Sequence, residues 1–194
     1  IRPNLGRGKY KFARRPVLIN NWEATYFDFN EEKILSIARQ ASELGIEMLV
    51  LDDGWFGSRD SDNAGLGDWF VNTDKLKGGL TDLVTGINGL GMKFGIWIEP
   101  EMVNEDSRLY REHPDWALTI PGRKPCRSRN QLVLARSRSE VRDYVFDSIA
   151  AVLKSANVEY VKWDMNRSIC DVYSAVLPKE RQGEVYHRYV LGIY

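Results

Sequence analysis

Carboxylate side chains follow three short apolar runs of this 194-residue sequence. Asp52 and Asp53 come directly after the first of these runs, Glu99 after the second and Asp164 after the third. Carboxylates that meet in one place can act as nucleophile, general acid or general base, or bind hydroxyl groups. The pattern therefore predicts a polar site at the ends of successive strands.

Asp164 has the surroundings expected of a reactive carboxylate. On a strand, Lys162 and Asp164 project to the same face because side-chain direction alternates. A nearby ammonium favours the ionised carboxylate, which suits a nucleophile or an electrostatic stabiliser. The alternative is a structural Lys–Asp pair at the rim of the sheet.

The adjacent residues Asp52 and Asp53 would repel each other if both faced one empty cavity. They need donors, such as ligand hydroxyls, an arginine or a metal. Gly54 and Gly57 allow a tight loop at this point. The alternative is that one of the two carboxylates merely caps the next turn.

Four of the six tryptophans, Trp22, Trp55, Trp97 and Trp163, lie within two residues of a strand-end carboxylate. Aromatic faces and hydrogen-bond acceptors together suit a sugar, which has apolar C–H faces and rim hydroxyls. Alternation turns Trp163 away from its neighbouring carboxylate, so we expect it to pack beneath the helices. Core positions remain the alternative for Trp22 and Trp97.

Two other chemistries compete with sugar binding. The strand-end carboxylates could hold Mg²⁺ in a lyase or isomerase. His113 and His187 do not lie at strand ends, which argues against a histidine-based metal site. Lys162 could form a Schiff base, but a neighbouring carboxylate stabilises the ammonium form and disfavours that role.

The elements that position these residues alternate between strand and helix. Asn30 is predicted to cap a helix that ends at Gly45, and Ser137 with Glu140 forms a capping-box pattern before Val141. Alternation implies a parallel sheet, and the first strand lacks the Gly-rich turn of a dinucleotide-binding fold. Predicted strands cover residues 17–20, 48–51, 94–98, 132–134 and 158–163.

Polar residues at nearly every strand end favour an α/β fold of the (β/α)8 TIM-barrel type. The strand ends recur about every 36 residues, so eight units would need roughly 290 residues. We therefore expect residues 1–194 to hold about the first five βα units of a partial catalytic barrel domain. Residues 1–13 are predicted to be a linker from an N-terminal domain.

Composition excludes several classes of protein. The 27 Lys and Arg residues balance 27 Asp and Glu residues, which argues against nucleic-acid binding. No apolar stretch approaches 18 residues, so no membrane-spanning helix is expected. Cys126 and Cys170 have no metal-like spacing; a pair of free thiols in a cytoplasmic protein is the interpretation, with one disulfide as the alternative.

Five ordered motifs resemble the catalytic barrel of bacterial α-galactosidases of glycoside hydrolase family 36. The resemblance covers about Arg14 to Tyr194, nearly the whole chain. The motifs that carry it are Asn20–Ala24, Asp52–Gly57, Trp97–Met102, Arg129–Gln131 and Lys162–Arg167.

The resemblance implies retaining hydrolysis of an α-galactoside oligosaccharide, with Asp164 as the nucleophile that forms a covalent galactosyl-enzyme. It implies neither a metal nor an organic cofactor, and it suggests a homotetrameric parent enzyme. The substrate-binding residues that it implies are Trp22, Asp52, Asp53, Trp97, Arg129, Lys162 and Asn166.

Two features depart from the family pattern. The family's general acid/base is an aspartate on a later strand, and Asp171 lies too close to Asp164 to replace it. Ser128 and Ala135 stand where relatives commonly have Gly and Asp. The alternatives are therefore a catalytically silent galactoside-binding fragment, or a transferase of the raffinose- or stachyose-forming type.

Overall fold

The structure of the protein is a computed structural model, which describes Gly8 and residues 10–194. The linker predicted for residues 1–13 lies largely outside the described residues.

A four-stranded parallel sheet forms the centre of the described chain, in the order β1–β2–β3–β6. The register places Leu51 beside Ile96 and Ile98 beside Trp163, so these strands end at one edge of the sheet. The prediction of alternating strands and helices around a parallel sheet is confirmed. The strands are β1 (Leu18–Asn20), β2 (Met48–Leu51), β3 (Lys93–Ile98) and β6 (Tyr160–Trp163).

The predicted strand at 132–134 is not part of this sheet, which corrects the expectation of five parallel strands. β5 (Leu132–Val133) pairs antiparallel with β4 (Met102–Val103) in a separate two-stranded sheet. Both strands are completely buried. An apolar run indicates burial but does not indicate which strand it pairs with. The position of β5 was therefore predicted wrongly from the sequence.

Within the described residues, six α-helices, α1 to α6, are interspersed with the strands. Asn30 caps α2 as predicted, since its side chain accepts a hydrogen bond of 2.9 Å from the backbone nitrogen of Lys33. The predicted capping box before α5 is wrong because Arg138 occupies the N-cap position, one residue later than expected. The helices are α1 (Trp22–Thr25), α2 (Glu31–Glu43), α3 (Gly79–Gly89), α4 (Arg108–Glu112), α5 (Ser139–Ser155) and α6 (Val185–Leu191).

The core lies between the sheet and the apolar faces of the long helices. Ile34 of α2, Ile87 of α3 and Val141 of α5 are completely buried within it. Gly95 in β3 is required by close packing, because a Cβ atom there would lie 2.9 Å from the Tyr160 ring. Among the described residues, no helix is long and apolar enough to cross a membrane.

Candidate active site

The carboxyl ends of the parallel strands bring the predicted polar residues together at one edge of the sheet. Asn20 ends β1, and Asp52, Glu99 and Asp164 directly follow β2, β3 and β6. Gly54 stands just beyond β2 with a φ of 101°, a conformation that glycine adopts without strain. The turn there folds back tightly, as the sequence predicts.

Asp52 is the centre of a cluster that joins three strands. Its Oδ2 accepts hydrogen bonds from Lys162 Nζ at 2.7 Å and from Asn20 Nδ2 at 2.5 Å. Its backbone nitrogen donates to Asn21 Oδ1 at 2.7 Å. The Asp52 side chain is buried, whereas that of Lys162 is 39% exposed, so the ammonium reaches the surface of the site.

Asp164 is half-buried and is oriented by three donors. Trp97 Nε1 and Asn166 Nδ2 donate to its Oδ2 at 3.1 and 2.8 Å, and the nitrogen of Met165 donates to its Oδ1 at 3.0 Å. Burial raises the pKa of this carboxyl, but the hydrogen bonds outweigh burial and lower the pKa below its usual value. Asp164 is therefore an oriented anion.

The expected ion pair between Lys162 and Asp164 is not the main source of this ionisation. Lys162 makes its short contact with Asp52, and its charge is a smaller cause of the lowered pKa of Asp164 than the hydrogen bonds from Asn166 and Trp97. Strand alternation predicts the direction in which Lys162 projects but not its partner. That partner follows β2, which is separated from β6 by β3, so residue spacing within β6 does not reveal it.

Glu99 is completely buried behind the segment that carries Asp164. Its Oε1 accepts from the nitrogen of Asn166 at 2.7 Å, and its Oε2 accepts from Gln131 Nε2 at 3.1 Å. Burial is the largest cause that raises the pKa of Glu99, and the negative charges of Asp164 and Asp53 add to it. Glu99 thus fixes the segment after β6 and has no surface for a substrate.

Asp53 is held by an arginine that the sequence analysis did not identify. Arg59 binds both oxygens of Asp53, at 2.9 and 2.8 Å, and is 1% exposed. Asn104 Oδ1 and the carbonyl oxygen of Ala64 accept from Arg59 at 3.0 Å each. Burial raises the pKa of Asp53, and Arg59 opposes that shift. Arg59 could have been identified from the sequence, because two adjacent carboxylates need a donor and Arg59 follows them in the same loop.

The remaining predicted site residues lie around these clusters. Trp22 is half-buried and packs edge-on against Tyr26 and Phe27, with ring centroids 5.2 and 5.1 Å away. Arg129 is 44% exposed, has a positive φ of 53° and lies 3.9 Å from Asp62. Trp97 is only 2% exposed, so it contributes its indole N–H rather than an open ring face.

The other two strand-end tryptophans have structural contacts. Trp55 is completely buried and donates to the carbonyl oxygen of Trp97 at 2.9 Å. The expectation that Trp163 packs beneath the helices is wrong, since the residue is 46% exposed. Its indole N–H donates to Glu101 Oε1 at 3.1 Å. β6 is an edge strand of the described sheet, and this explains the exposure of its last residue.

In the part of the chain that the structure describes, no group of three or more His, Cys, Asp or Glu residues is arranged to hold a metal ion. The carboxylates proposed as Mg²⁺ ligands already have protein partners. Asp52 accepts from Lys162, Asp53 accepts from Arg59, and Glu99 accepts from two amides. Nitrogen donors therefore occupy the oxygens that a cation would need.

Together, the sheet and the site define an α/β protein in which an oriented carboxylate and a carboxylate–ammonium pair face one strand-end surface. The Melibiase family model matches residues 1–194, and the chain belongs to that family. The resemblance found in the sequence motifs is confirmed.

Individual relatives of the chain are α-galactosidases. The chain is 58% identical to α-galactosidase AgaA of Geobacillus stearothermophilus over its whole length, which is 26% of that relative. It is 55% identical to α-galactosidase Mel36A of Lactobacillus acidophilus, again over the whole chain and 26% of the relative. The chain thus spans about a quarter of the length of these curated relatives.

Solved structures show the same similarity. The crystal structure of the family 36 α-galactosidase AgaA superposes with a TM-score of 0.97, covering all of this chain and 27% of that one. A variant of AgaA in complex with raffinose gives the same TM-score, identity and coverage.

Proposed function

We propose that the protein containing this chain is an α-galactosidase that releases terminal α-galactosyl residues with retention of configuration. The observation that carries the proposal is the oriented, ionised carboxylate of Asp164 beside the Asp52–Lys162 pair at the strand ends. The names of the relatives and the raffinose bound to one of them support this substrate class.

In this mechanism Asp164 is the nucleophile. One of its oxygens attacks the anomeric carbon, the glycosidic bond breaks, and a covalent galactosyl-enzyme forms, which water then hydrolyses. A nucleophilic carboxylate must be unprotonated, and the donors Trp97 and Asn166 favour that state. Because the side chain of Asn166 donates to Asp164, we propose that Asn166 positions the nucleophile as well as contacting the substrate.

The Asp52–Lys162 pair is the proposed binding site for galactose hydroxyls. The carboxylate accepts hydrogen bonds and the ammonium donates them, so the pair can bind a hydroxyl from both sides. Lys162 is exposed enough to reach a ligand. The remaining proposed substrate contacts are Trp22 and Arg129. Trp97 contributes by orienting Asp164, and Asp53 contributes through the loop that Arg59 fixes.

The general acid/base is proposed to lie outside these 194 residues. A retaining enzyme needs a second carboxyl about 5–5.5 Å from the nucleophile. Glu99 does not fit because it is completely buried, and Asp52 is engaged by Lys162 and Asn20. A carboxyl from another part of the protein is therefore proposed to complete the pair.

The parallel sheet is proposed to be part of a (β/α)8 barrel. Both edge strands leave apolar side chains uncovered, since Leu18 in β1 is 42% exposed and Trp163 in β6 is 46% exposed. Closure by further strands would cover both edges. A crystal structure of the full-length protein tests this, and an open sheet there would contradict it.

Replacement of the nucleophile tests the activity. In the full-length protein, Asp164→Asn should lower kcat on an aryl α-galactoside by at least about a thousand-fold. Asp147→Asn, at an exposed position of α5, is the matched control and should retain full activity. Undiminished turnover by Asp164→Asn would remove the assignment.

Product analysis distinguishes hydrolysis from the alternatives. NMR of the first product should show α-galactose, since two inversions retain configuration. With abundant sucrose present, a transferase would form mainly raffinose, whereas a hydrolase would release mainly galactose. Binding of galactose by calorimetry without any turnover would instead indicate a catalytically silent protein.

A further inference from the structure

Two cysteines that are 44 positions apart in the sequence meet beside the segment that follows β6. The Cys170 thiol donates to the carbonyl oxygen of Cys126 across 3.8 Å. The backbone nitrogen of Cys126 donates to Asp171 Oδ2 at 2.5 Å. Both cysteines are free thiols in this structure.

The two segments that meet at this point differ in their exposure to solvent. Residues 126–130 are exposed, and Arg129 lies among them. The segment that holds Cys170 is anchored by the buried Arg167, which donates to the carbonyl oxygen of Gln131. Arg127 donates to Glu105, and the carbonyl oxygen of Asn130 accepts from Asn104, so hydrogen bonds already connect the exposed segment to the protein. A covalent bond between the cysteines would add a cross-link from this exposed segment to the segment anchored by Arg167.

We propose that Cys126 and Cys170 are a redox pair that forms a reversible disulfide by exchange with a small disulfide of the glutathione class. The proposal concerns a modification site and does not depend on the galactosidase activity. Neither cysteine belongs to the proposed catalytic or sugar-binding residues.

The exchange proceeds in two balanced steps. The thiolate of exposed Cys126 attacks oxidised glutathione, forms a mixed disulfide and releases one glutathione thiolate. The thiolate of Cys170 then attacks the Cys126 sulfur and displaces the second glutathione. Two protein thiols are oxidised, one glutathione disulfide is reduced to two thiols, and the two protons go to solvent or to the released thiolates.

One cation beside Cys170 favours the second step. Burial raises the pKa of the Cys170 thiol, and the guanidinium of Arg167, which donates to the Cys170 sulfur, opposes that shift. The raised pKa favours the thiol form of Cys170, and Arg167 is the adjacent cation that stabilises its thiolate when it attacks the mixed disulfide. The exposed Cys126 is the entry point and Cys170 the resolving residue.

Peptide mapping of the native full-length protein tests the pair directly. The protein is equilibrated in glutathione buffers of increasing oxidised fraction, alkylated and digested with trypsin. We expect the peptides 124–127 and 168–179 to be recovered as one disulfide-linked species, with a mass lower by two hydrogen atoms than their sum. Dithiothreitol should abolish this species.

Cys126→Ser and Cys170→Ser are matched controls that should keep the fold and the basal activity but yield no linked species. Recovery of both cysteines only as alkylated thiols or as separate glutathione adducts, at every ratio, would overturn the proposal. A linked species that forms in urea but not in the folded protein would also overturn it.

Limited proteolysis measures the structural effect. The exposed segment offers trypsin Arg127 and Arg129 as cleavage sites. Oxidation should slow cleavage there by about tenfold or more, because attachment limits local opening. Cys126→Ser should show no such protection, and equal cleavage rates for reduced and cross-linked wild-type protein would overturn the attachment.

Discussion

The indole N–H of Trp97 donates to Oδ2 of Asp164 across 3.1 Å, and so joins the end of β3 to the residue after β6. The tryptophan is 2% exposed and lies stacked near Phe56, with ring centroids 6.2 Å apart. A donor held by the core in this way loses little entropy when it binds the carboxylate. Trp97 therefore orients the proposed nucleophile through its indole N–H.

Trp97→Phe should retain the ring packing and remove the donor. A hydrogen bond to a charged group contributes about 1.5–3 kcal/mol, so kcat/KM should fall by about 10- to 100-fold. The pKa of Asp164 should rise because one cause of its low value is lost. Since the nucleophile must be ionised, the acidic limb of the kcat/KM profile should move to higher pH.

Trp55→Phe is the matched control. Trp55 is also buried, but its indole N–H binds the carbonyl oxygen of Trp97 and not the carboxylate. This variant should lose stability while the acidic limb stays in place. An unchanged limb in Trp97→Phe as well would show that the hydrogen bond does not set the ionisation of Asp164.

The site residues that could be predicted from the sequence are those whose positions follow from neighbouring residues in the chain. Asp52, Asp53 and Asp164 were predictable because each follows an apolar run, and the carboxyl ends of parallel strands lie at a common edge. The sequence did not predict the partners of Lys162 or Asp53, since these are Asp52, which follows a strand that β3 separates from β6, and a loop arginine. Partner choice depends on tertiary placement, which one sequence does not contain.

In the fold, too, local features were predictable from the sequence and strand partners were not. The cap at Asn30 and the parallel strands were predictable from period and capping residues. Leu132 and Val133 were misplaced because a short buried run has the same composition in a parallel sheet and in an antiparallel pair. The start of α5 was predicted one residue early because Arg138 takes the cap position without a capping side chain.

The Asp52–Lys162 pair should behave as one unit. Asp52→Asn and Lys162→Met should each lower kcat/KM by about 10- to 100-fold, because each leaves the other without its charged partner. The double variant should lose clearly less than the product of the two single losses. Steady-state kinetics of the four proteins measures this coupling, and strictly multiplicative losses would contradict a shared role.

The Asp53–Arg59 pair should matter most for stability. Arg59→Met leaves a buried carboxylate without its bidentate partner, which typically costs about 3–5 kcal/mol. Arg59→Lys should be only a partial replacement, because an ammonium cannot bind both carboxylate oxygens in the same fork geometry. Denaturant unfolding of the full-length variants measures both losses.

A double variant separates the buried charge from lost packing at this pair. Asp53→Asn combined with Arg59→Met removes both charges, so it should recover part of the stability that Arg59→Met loses. The same stability in the single and double variants would mean that packing of the long Arg59 side chain, and not the pair, accounts for the loss.

Glu99→Gln should keep the fold and increase stability at neutral pH. The new amide oxygen can still accept from the nitrogen of Asn166, and the side-chain amide of Gln131 can rotate to accept from the new NH₂ group. Rotation is available because Gln131 Oε1 is buried without a partner. The expected gain is about 1–2 kcal/mol, since a buried charge is removed. Glu99→Ala, which loses the anchor of Asn166, should instead destabilise the protein and lower kcat.

The stability gained by Glu99→Gln should depend on pH. Burial raises the pKa of Glu99 in the folded protein, so the folded state binds this proton more tightly than the unfolded state does. Its contribution to stability is therefore fully present below the ordinary carboxyl pKa and is lost as pH rises through the raised value. The stability difference between Glu99→Gln and wild type should grow over that window and then level off. A difference that shrinks as pH rises would mean that Glu99 is held as a stabilised anion, with its pKa lowered.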